Sequence, residues 1–371
     1  MNKNLLNNLR MDDISIGRLK DDHIPTPKYN ANSYYKSVAN NSYFAVLATI
    51  RHYLKFTSDE YFGVKLNAKN MDLFMFTPSI SSPSGRGSDS KPIPFRLGKE
   101  NSFLTDSSQF GFEPFLIKNL QRVYCYLPSM RGDKPDERHL NQFFHCEFEM
   151  VGRLEDVMKF AEGYVKEMCN TLLSLKNCMD KISDAKENSR RSLKRVVNSI
   201  NFPEISFDEA TNILKDDRSR NLIRFGKYGS TITTQGEIRL AQILNLNIPF
   251  WIKYFDRDQV AFYQKPVPHN PAKVLNADLI FPPLLHGSFG GEILGSRQKQ
   301  DNVKELFDSL ERQNISPAPY EWYIDLRRQK DYRITSGFGL GIERFIAWAL
   351  AKKNIKDVIA YPRLKNFKTM P

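Results

Sequence analysis

The order of apolar and polar positions lays out the chain. Residues 39–56, "ANNSYFAVLATIRHYLKF", place apolar side chains at helical spacing and predict a first long helix. "MDLFMFTPSI" predicts a strand ending at Thr77-Pro78, before a loop over residues 79–94 that is rich in Ser, Gly and Pro. "SFLTDSSQF" and "RVYCYLPSM" read as strand ends, and "QFFHCEFEMVG" alternates with the period of two that a strand requires. Residues 153–200 predict a helical hairpin. "SFDEATNIL" predicts a short helix opened by a capping box, Ser206 with Glu209 three residues on. Strands return at "PFWIKYF", "VAFYQKP" and "ADLIFPP", followed by a helix at "NVKELFDSLERQ". Many strands without regular helix alternation predict an α+β fold, an antiparallel β-sheet flanked by helices. Residues 1–38 are polar, Asn-rich and weakly periodic, and predict an irregular N-terminal arm ahead of one domain over 39–371. No internal repeat is visible.

One stretch breaks the ordinary rules of a strand. "SGFGLGIERF", Ser336 to Phe345, alternates Gly337, Gly339 and Gly341 with Phe338 and Leu340, then starts a helix that carries Arg344 in its first turn. Glycine weakens a strand, so three on one face need a reason. A bare face lets something flat or bulky approach the backbone, and a helix start with a guanidinium suits an anion such as phosphate. A tight junction needing glycines only for packing remains the competing reading.

Composition narrows the class. The 371 residues are 41% hydrophobic and 26% charged, as in ordinary globular chains. No apolar run approaches the roughly 20 residues of a membrane helix, and "MNKNLLNNLRMDD" has no apolar signal region. The four cysteines show no CxxC pairing, so reduced structural thiols and a cytoplasmic setting are expected. The formal charge of +12 suggests a polyanion or phosphate-rich partner. Part of it is local: residues 171–200 hold seven Lys or Arg against three Asp or Glu. Such a run is a solvated helical face or an RNA contact.

Chemistry concentrates in "RVYCYLPSMRGDKPDERHLNQFFHCEFEM", Arg122 to Met150. Arg131 closes one strand, and Arg138 and His139 open the return strand. Alternation puts Phe143, His145, Glu147 and Glu149 on one face. A ring to stack on a base, guanidiniums for phosphates and acids for a metal or amine are what a nucleotide site requires.

This window resembles motif 2 of the class II aminoacyl-tRNA synthetases, and "SGFGLGIERF" resembles their motif 3. "FTPSI", "FLTDSSQ", "GGEILGS", "WYIDLRR" and "NIKDVIAYPR" are similar, in order, to segments of the aspartyl and asparaginyl subgroup, most closely the asparaginyl type. The resemblance covers roughly residues 39–367. It implies the class II fold, a homodimer and an ATP- and Mg2+-dependent ligase forming an acyl-adenylate. By resemblance, Arg131 grips the α-phosphate and the substrate carboxylate, and Phe143 stacks on adenine over Gly339 and Gly341 with Arg344 behind it. Asp133, Arg138 and His139 lie toward the phosphates. Glu292, with Asp278 or Ser296, holds Mg2+, and Gln109, Glu147 and Arg327 meet the amino acid.

The departures from the family pattern carry expectations too. Phe112 stands where aspartyl enzymes place a Lys, which favours an uncharged side chain such as asparagine's. Arg86-Gly87 stands where the family has a Glu-Gly pair for the substrate's amino group. Asp133 and Gln142 replace Glu, and Ile334-Thr335 replace a Pro-His pair. About 38 residues precede the first helix, too few for the subgroup's anticodon-binding barrel. The leading expectation is therefore transfer of the acyl group to a non-tRNA amine, as in the archaeal asparagine synthetases of this subgroup. Aminoacylation of tRNA is the second, and a non-catalytic regulatory paralogue the third.

Overall fold

The computed structural model describes residues 3–82, 90–218 and 221–370. Its centre is an eight-stranded sheet. The strands are β1 (Lys69–Asn70), β2 (Arg122–Met130), β3 (Gln142–Val151), β4 (Glu204–Ser206), β5 (Phe250–Lys253), β6 (Asn276–Phe281), β7 (Gly291–Gln298) and β8 (Thr335–Gly341). Their spatial order is β1-β2-β3-β8-β7-β6-β5-β4. The five inner pairings are antiparallel, and only the short edge strands β1 and β4 run parallel to their neighbours.

Strand alternation gives the sheet two unlike faces. Phe148 of β3 lies opposite Phe338 of β8, Leu340 of β8 opposite Leu294 of β7, and Leu294 opposite Leu279 of β6. These residues are almost completely buried and form one core with helix α2 (Ser42–Asp59) and helix α3 (Leu154–Ser174). From the helices come Ile50, Tyr53 and Leu54, and Val157, Ala161, Tyr164 and Val165. Phe62 stacks on Phe148 at 5.1 Å, and Phe148 lies 5.5 Å from Phe338. Each such side chain removed from water contributes about 1.5–3 kcal/mol. The opposite face carries glycines and charged groups.

Several expectations need correction. The lead-in is not irregular: α1 spans Lys3–Gly17, and a second short helix spans Tyr34–Asn40. Residues 153–200 form three helices rather than a hairpin. Leu175 (φ −92, ψ 49) ends α3, α4 runs Lys176–Ile182, the chain extends at Ser183, and α5 runs Lys186–Asn198. Of the run "VAFYQKP" only its last residue is strand, in the two-residue element Pro266–Val267. Ala261, Phe262, Tyr263 and Gln264 are buried consecutively, and the three apolar ones join a cluster with Phe110 and Tyr323, which a half-buried strand could not do. The Thr77-Pro78 strand shrinks to Phe76–Thr77 in a small three-stranded sheet. Helix α6 (Thr234–Ile243) was not anticipated.

Polar contacts fix α1. Asp13 is 8% exposed and accepts from the Cys178 backbone N–H and the Asn177 side-chain amide, both at 3.0 Å, in the first turn of α4. Asp12 accepts from the Tyr53 hydroxyl at 2.6 Å. Removing a buried acceptor that caps a helix start costs about 1–2 kcal/mol. Asp13→Ala should lower the urea unfolding free energy by that amount, and unchanged unfolding would show that α1 does not dock through this residue.

Candidate active site

A cleft of about 550 Å3 opens on the glycine-bearing face, lined by β3, β7, β8, the loop 131–140 and residues before β2. Its floor follows from the register. Gly341 lies opposite His145, Gly339 opposite Glu147, Gly337 opposite Glu149, and on the other side Gly339 opposite Gly295. A Cβ on Gly337 would meet the Phe148 carbonyl oxygen at 2.7 Å, so that glycine is required by packing. A Cβ on Gly339 would meet nothing nearer than Glu147 at 3.6 Å. The bareness of Gly339 is therefore available to a ligand rather than demanded by the protein.

Side chains stand around this floor in an ordered way. The Arg131 guanidinium lies 5.5 Å from the Phe143 ring centre, and its buried Nε has no hydrogen-bond partner among the described residues. Phe143 packs edge-on against His145 at 4.7 Å, and His145 Nδ1 lies 3.0 Å from the Ser129 hydroxyl. At the other end, Arg344 in the first turn of α7 (Ile342–Ala349) donates to the Glu292 carboxylate at 3.0 Å and to its carbonyl at 3.2 Å. Arg138 donates to the Gly290 carbonyl and stacks over Phe289 at 4.3 Å. Burial, then the neighbouring Arg344, pulls the Arg138 guanidinium down to about 10. His139 pairs with Asp136 at 2.8 Å, and burial followed by Arg344 lowers its imidazole. Asp133 accepts from the Lys91 backbone N–H at 3.1 Å, tying two rims of the cleft.

The inner end is a layer of paired charges. Glu147 accepts from the Ser107 hydroxyl at 2.5 Å and the Ser108 N–H at 2.7 Å. Lys299, fully buried, donates to Gln109 at 2.7 Å and lies 3.7 Å from Glu149, itself fully buried and bonded to the Thr335 hydroxyl at 2.7 Å. Asp106 accepts from Ser81 and Ser82, whose side chains line the cleft.

The expected residues divide accordingly. Arg131, Asp133, Arg138, His139, Phe143, Glu147, Gln109, Glu292, Gly339, Gly341 and Arg344 all line the one cleft. Arg327 does not: its guanidinium is spent on Glu113 at 2.6 Å, the Tyr323 hydroxyl at 2.6 Å and the Gln300 carbonyl at 2.9 Å. Ser296 does not either. It sits fully buried opposite Phe338, on the core face. The cause is a register slip between β6 and β7: Leu279 faces Leu294 but Ile280 faces Glu292, leaving Ile293 between. The extra residue turns Glu292 toward the cleft with Gly295 and Arg297, so Glu292 and Ser296 point to opposite faces. Asp278 pairs with Gly295, and its Oδ1 lies 2.9 Å from where a Cβ on that glycine would stand, next to the Arg297 guanidinium. Phe112 is buried with Leu116, Val123 and Cys125 and does not face the cleft. Arg86 lies outside the described residues.

Sequence reasoning missed Glu237 of α6, which accepts from the Glu292 backbone N–H at 3.0 Å. Burial, reinforced by Glu292, raises its carboxyl to about 7. An acid in the first turn of an unassigned helix gave no signal. Lys299 was missed too, because a charge in a strand-like run reads as solvent-facing.

With this geometry in view, the comparisons are specific. Residues 70–365 match the profile of the family described as tRNA synthetases class II (D, K and N). The chain belongs to the class II tRNA synthetase family. An asparagine–tRNA ligase of Thermococcus gammatolerans is 32% identical over 71% of this chain. One from Mycoplasma genitalium is 26% identical over 96% of this chain and 78% of its own length. The crystal structure of asparaginyl-tRNA synthetase from Pyrococcus horikoshii complexed with asparaginyl-adenylate superposes with a TM-score of 0.80 at 26% identity, over 91% of this chain and 72% of that one. The match spans only 57% of the Thermococcus synthetase.

The buried Glu149 carboxyl gives a pH test. Burial raises it to about 7 against the pull of Lys299. A carboxyl raised on folding contributes stability below its ordinary range, and that contribution is lost as pH rises through the folded value. Between about pH 5 and about pH 8, wild type should therefore lose thermal stability relative to Glu149→Gln. Parallel curves of Tm against pH for the two proteins would contradict it.

Proposed function

We propose that this chain activates a small amino acid with ATP, forming an acyl-adenylate and releasing pyrophosphate. The observation that carries the reading is the slot between Phe143 and the bare Gly339–Gly341 floor, with Arg131 at one side and Arg344 at the other. A flat base fits against the ring and the glycine backbone, as bases do on aromatic platforms. Arg131, which lines the same cleft with an unused buried N–H, would take the α-phosphate and the carboxylate. Adenylation needs no protein nucleophile, only in-line positioning and neutralised phosphate charge.

Among the described residues no group of three or more His, Cys, Asp or Glu converges as a metal cage. The neighbouring carboxylates of Glu292 and Glu237 fit the way Mg2+ is held, by one or two acids together with substrate phosphates. They replace the expected set of Glu292 with Asp278 or Ser296. The ion would neutralise phosphate charge there, while Arg138 and Arg344 keep the carboxylates oriented.

Asparagine fits the inner end better than aspartate, though for a different reason than Phe112. The cations near this end stand beside carboxylates, Arg297 on the cleft wall next to Asp278 and Lys299 behind it next to Glu149. A substrate carboxylate would have to compete with those acids for positive charge, and an unmatched buried charge costs several kcal/mol. An amide can use Gln109 and Glu147 instead.

Two acceptors follow from the sequence and the relatives. Transfer to a small amine continues the leading expectation, and transfer to tRNA is the activity named for the relatives. Pyrophosphate exchange with asparagine and with aspartate, then single-turnover transfer to ammonia or to tRNA, separates them.

Three outcomes are expected. Exchange should be supported by asparagine well above aspartate, and equal exchange would remove the charge argument. Arg131→Ala and Arg344→Ala should each lower exchange by about 100-fold or more while the protein stays folded. Gly339→Ala, which the protein can accommodate, should leave Tm unchanged and raise the ATP KM by about 10-fold or more, as an interaction of about 1–3 kcal/mol is disturbed. An unaltered KM would remove the floor assignment.

A further inference from the structure

A second feature lies on the other side of the molecule. Helix α5 carries Arg191, Lys194, Arg195 and Asn198 at spacings of three, four and seven, hence on one helical face, and all four are exposed. With Ser199, Asn247 and Ile248 they line a groove of about 460 Å3. No acidic residue lines it. Two neighbouring cations on the same helices are tied up: Arg190 is paired with Asp180 and Glu187, and Lys181 donates to the carbonyls of Leu19 and Asp21. Arg191, Lys194 and Arg195 have no ion pair or side-chain hydrogen bond among the described residues. Three adjacent, unneutralised cations on a small surface repel one another, a cost a polyanion would remove.

Position separates this groove from the cleft. The inner side of α5 buries Leu193 and Val196 in the core that contains α3, Phe148 and Phe338. That core covers the face of the sheet opposite Gly339, Gly341 and Glu147. Whatever part of a ligand contacts α5 is therefore behind the sheet, away from the atoms that react in the cleft.

We propose that the α5 groove is an RNA-backbone binding site distinct from the active site. The groove is open along its cationic edge, whereas a small-molecule site encloses most of its ligand. Its cations can take successive phosphates, and Asn198, Ser199 and Asn247 can donate to or accept from ribose hydroxyls. A net charge of +12 steers such a polymer from a distance. Of the seven cations in the basic run 171–200, Arg191, Lys194 and Arg195 are the ones that line the groove.

The test uses the full chain and a fluorescein-labelled, mixed-sequence RNA hairpin of about 30 nucleotides, titrated from about 50 to about 300 mM KCl. Three phosphate contacts contribute about 2–3 to the slope of log K against log salt. The triple variant Arg191→Gln, Lys194→Gln, Arg195→Gln should lose that much slope and bind at least about 10-fold more weakly at the lower salt, while pyrophosphate exchange is unchanged. Arg190→Gln should leave both slope and affinity as they are. The proposal is overturned if the triple variant binds RNA with the wild-type slope. It is equally overturned if polyglutamate or anionic phosphatidylserine vesicles compete as well as unlabelled RNA, which would indicate an acidic protein or a lipid surface instead. Because the variant sites are exposed, unchanged exchange and Tm certify its fold. Loss of exchange in wild type would bear on the adenylation reading alone.

Discussion

A strand stripped of side chains on one face depends on its neighbours for everything that face would have contributed. Strand β8 carries Gly337, Gly339 and Gly341 on the cleft side and buries Phe338 and Leu340 behind. It is stable because β3 and β7 pair along both edges, and because the Phe62–Phe148–Phe338 packing fills the other face. The core thus makes the cleft possible. Apolar burial behind the sheet offsets the weak propensity of three glycines, and the result is a flat backbone surface that stays open.

That open surface would collapse or fill with water if the charges around it were mobile. Several are instead held by a counter-charge on another element. Arg344 is held by Glu292, Arg51 of α2 by Glu343 of α7, Lys299 by Glu149, and Arg327 by Glu113. Glu343 also accepts from the Phe144 N–H at 2.9 Å, so one carboxylate joins α2, β3 and α7 beside the floor. The fully buried pairs, Lys299–Glu149 and Arg327–Glu113, add little net stability, yet losing one partner costs about 3–5 kcal/mol. They fix geometry rather than strength. Cations held in this way need no rearrangement if an anionic ligand arrives.

The face pattern of β3 and β8 was legible in the sequence because a period of two is unambiguous over seven or more residues. Alternation alone was enough to place Phe143 and Glu147 on one face of β3 and Gly339 and Gly341 on one face of β8, and the register of the two strands joins those faces. The failures have physical causes as well. Ser296 was expected beside Glu292 from the family resemblance, and the extra residue at Ile293 puts the two on opposite faces. Arg327 was expected at the substrate and Lys299 was not singled out, because burial, not residue type, decides which cation is spent on the fold. A lone basic residue carries no mark of whether a Glu113 waits for it. Helix α1 was hidden because its stability comes from Asp12 and Asp13 reaching Tyr53 and Cys178, contacts far apart in sequence.

The same reasoning explains why the two cationic surfaces behave differently. In the cleft, Arg138 and Arg344 lie close enough for burial and mutual repulsion to lower the Arg138 guanidinium, and Glu237 and Glu292 stand beside them. Those four groups compensate one another, so an incoming phosphate and metal would replace existing partners with little change in net charge. On α5 the three cations have no acids to replace, and every anion that binds there brings compensation that the fold lacks. Specificity therefore belongs to the cleft, where shape and paired charges discriminate. The α5 face offers attraction that is strong at low salt and indifferent to base sequence.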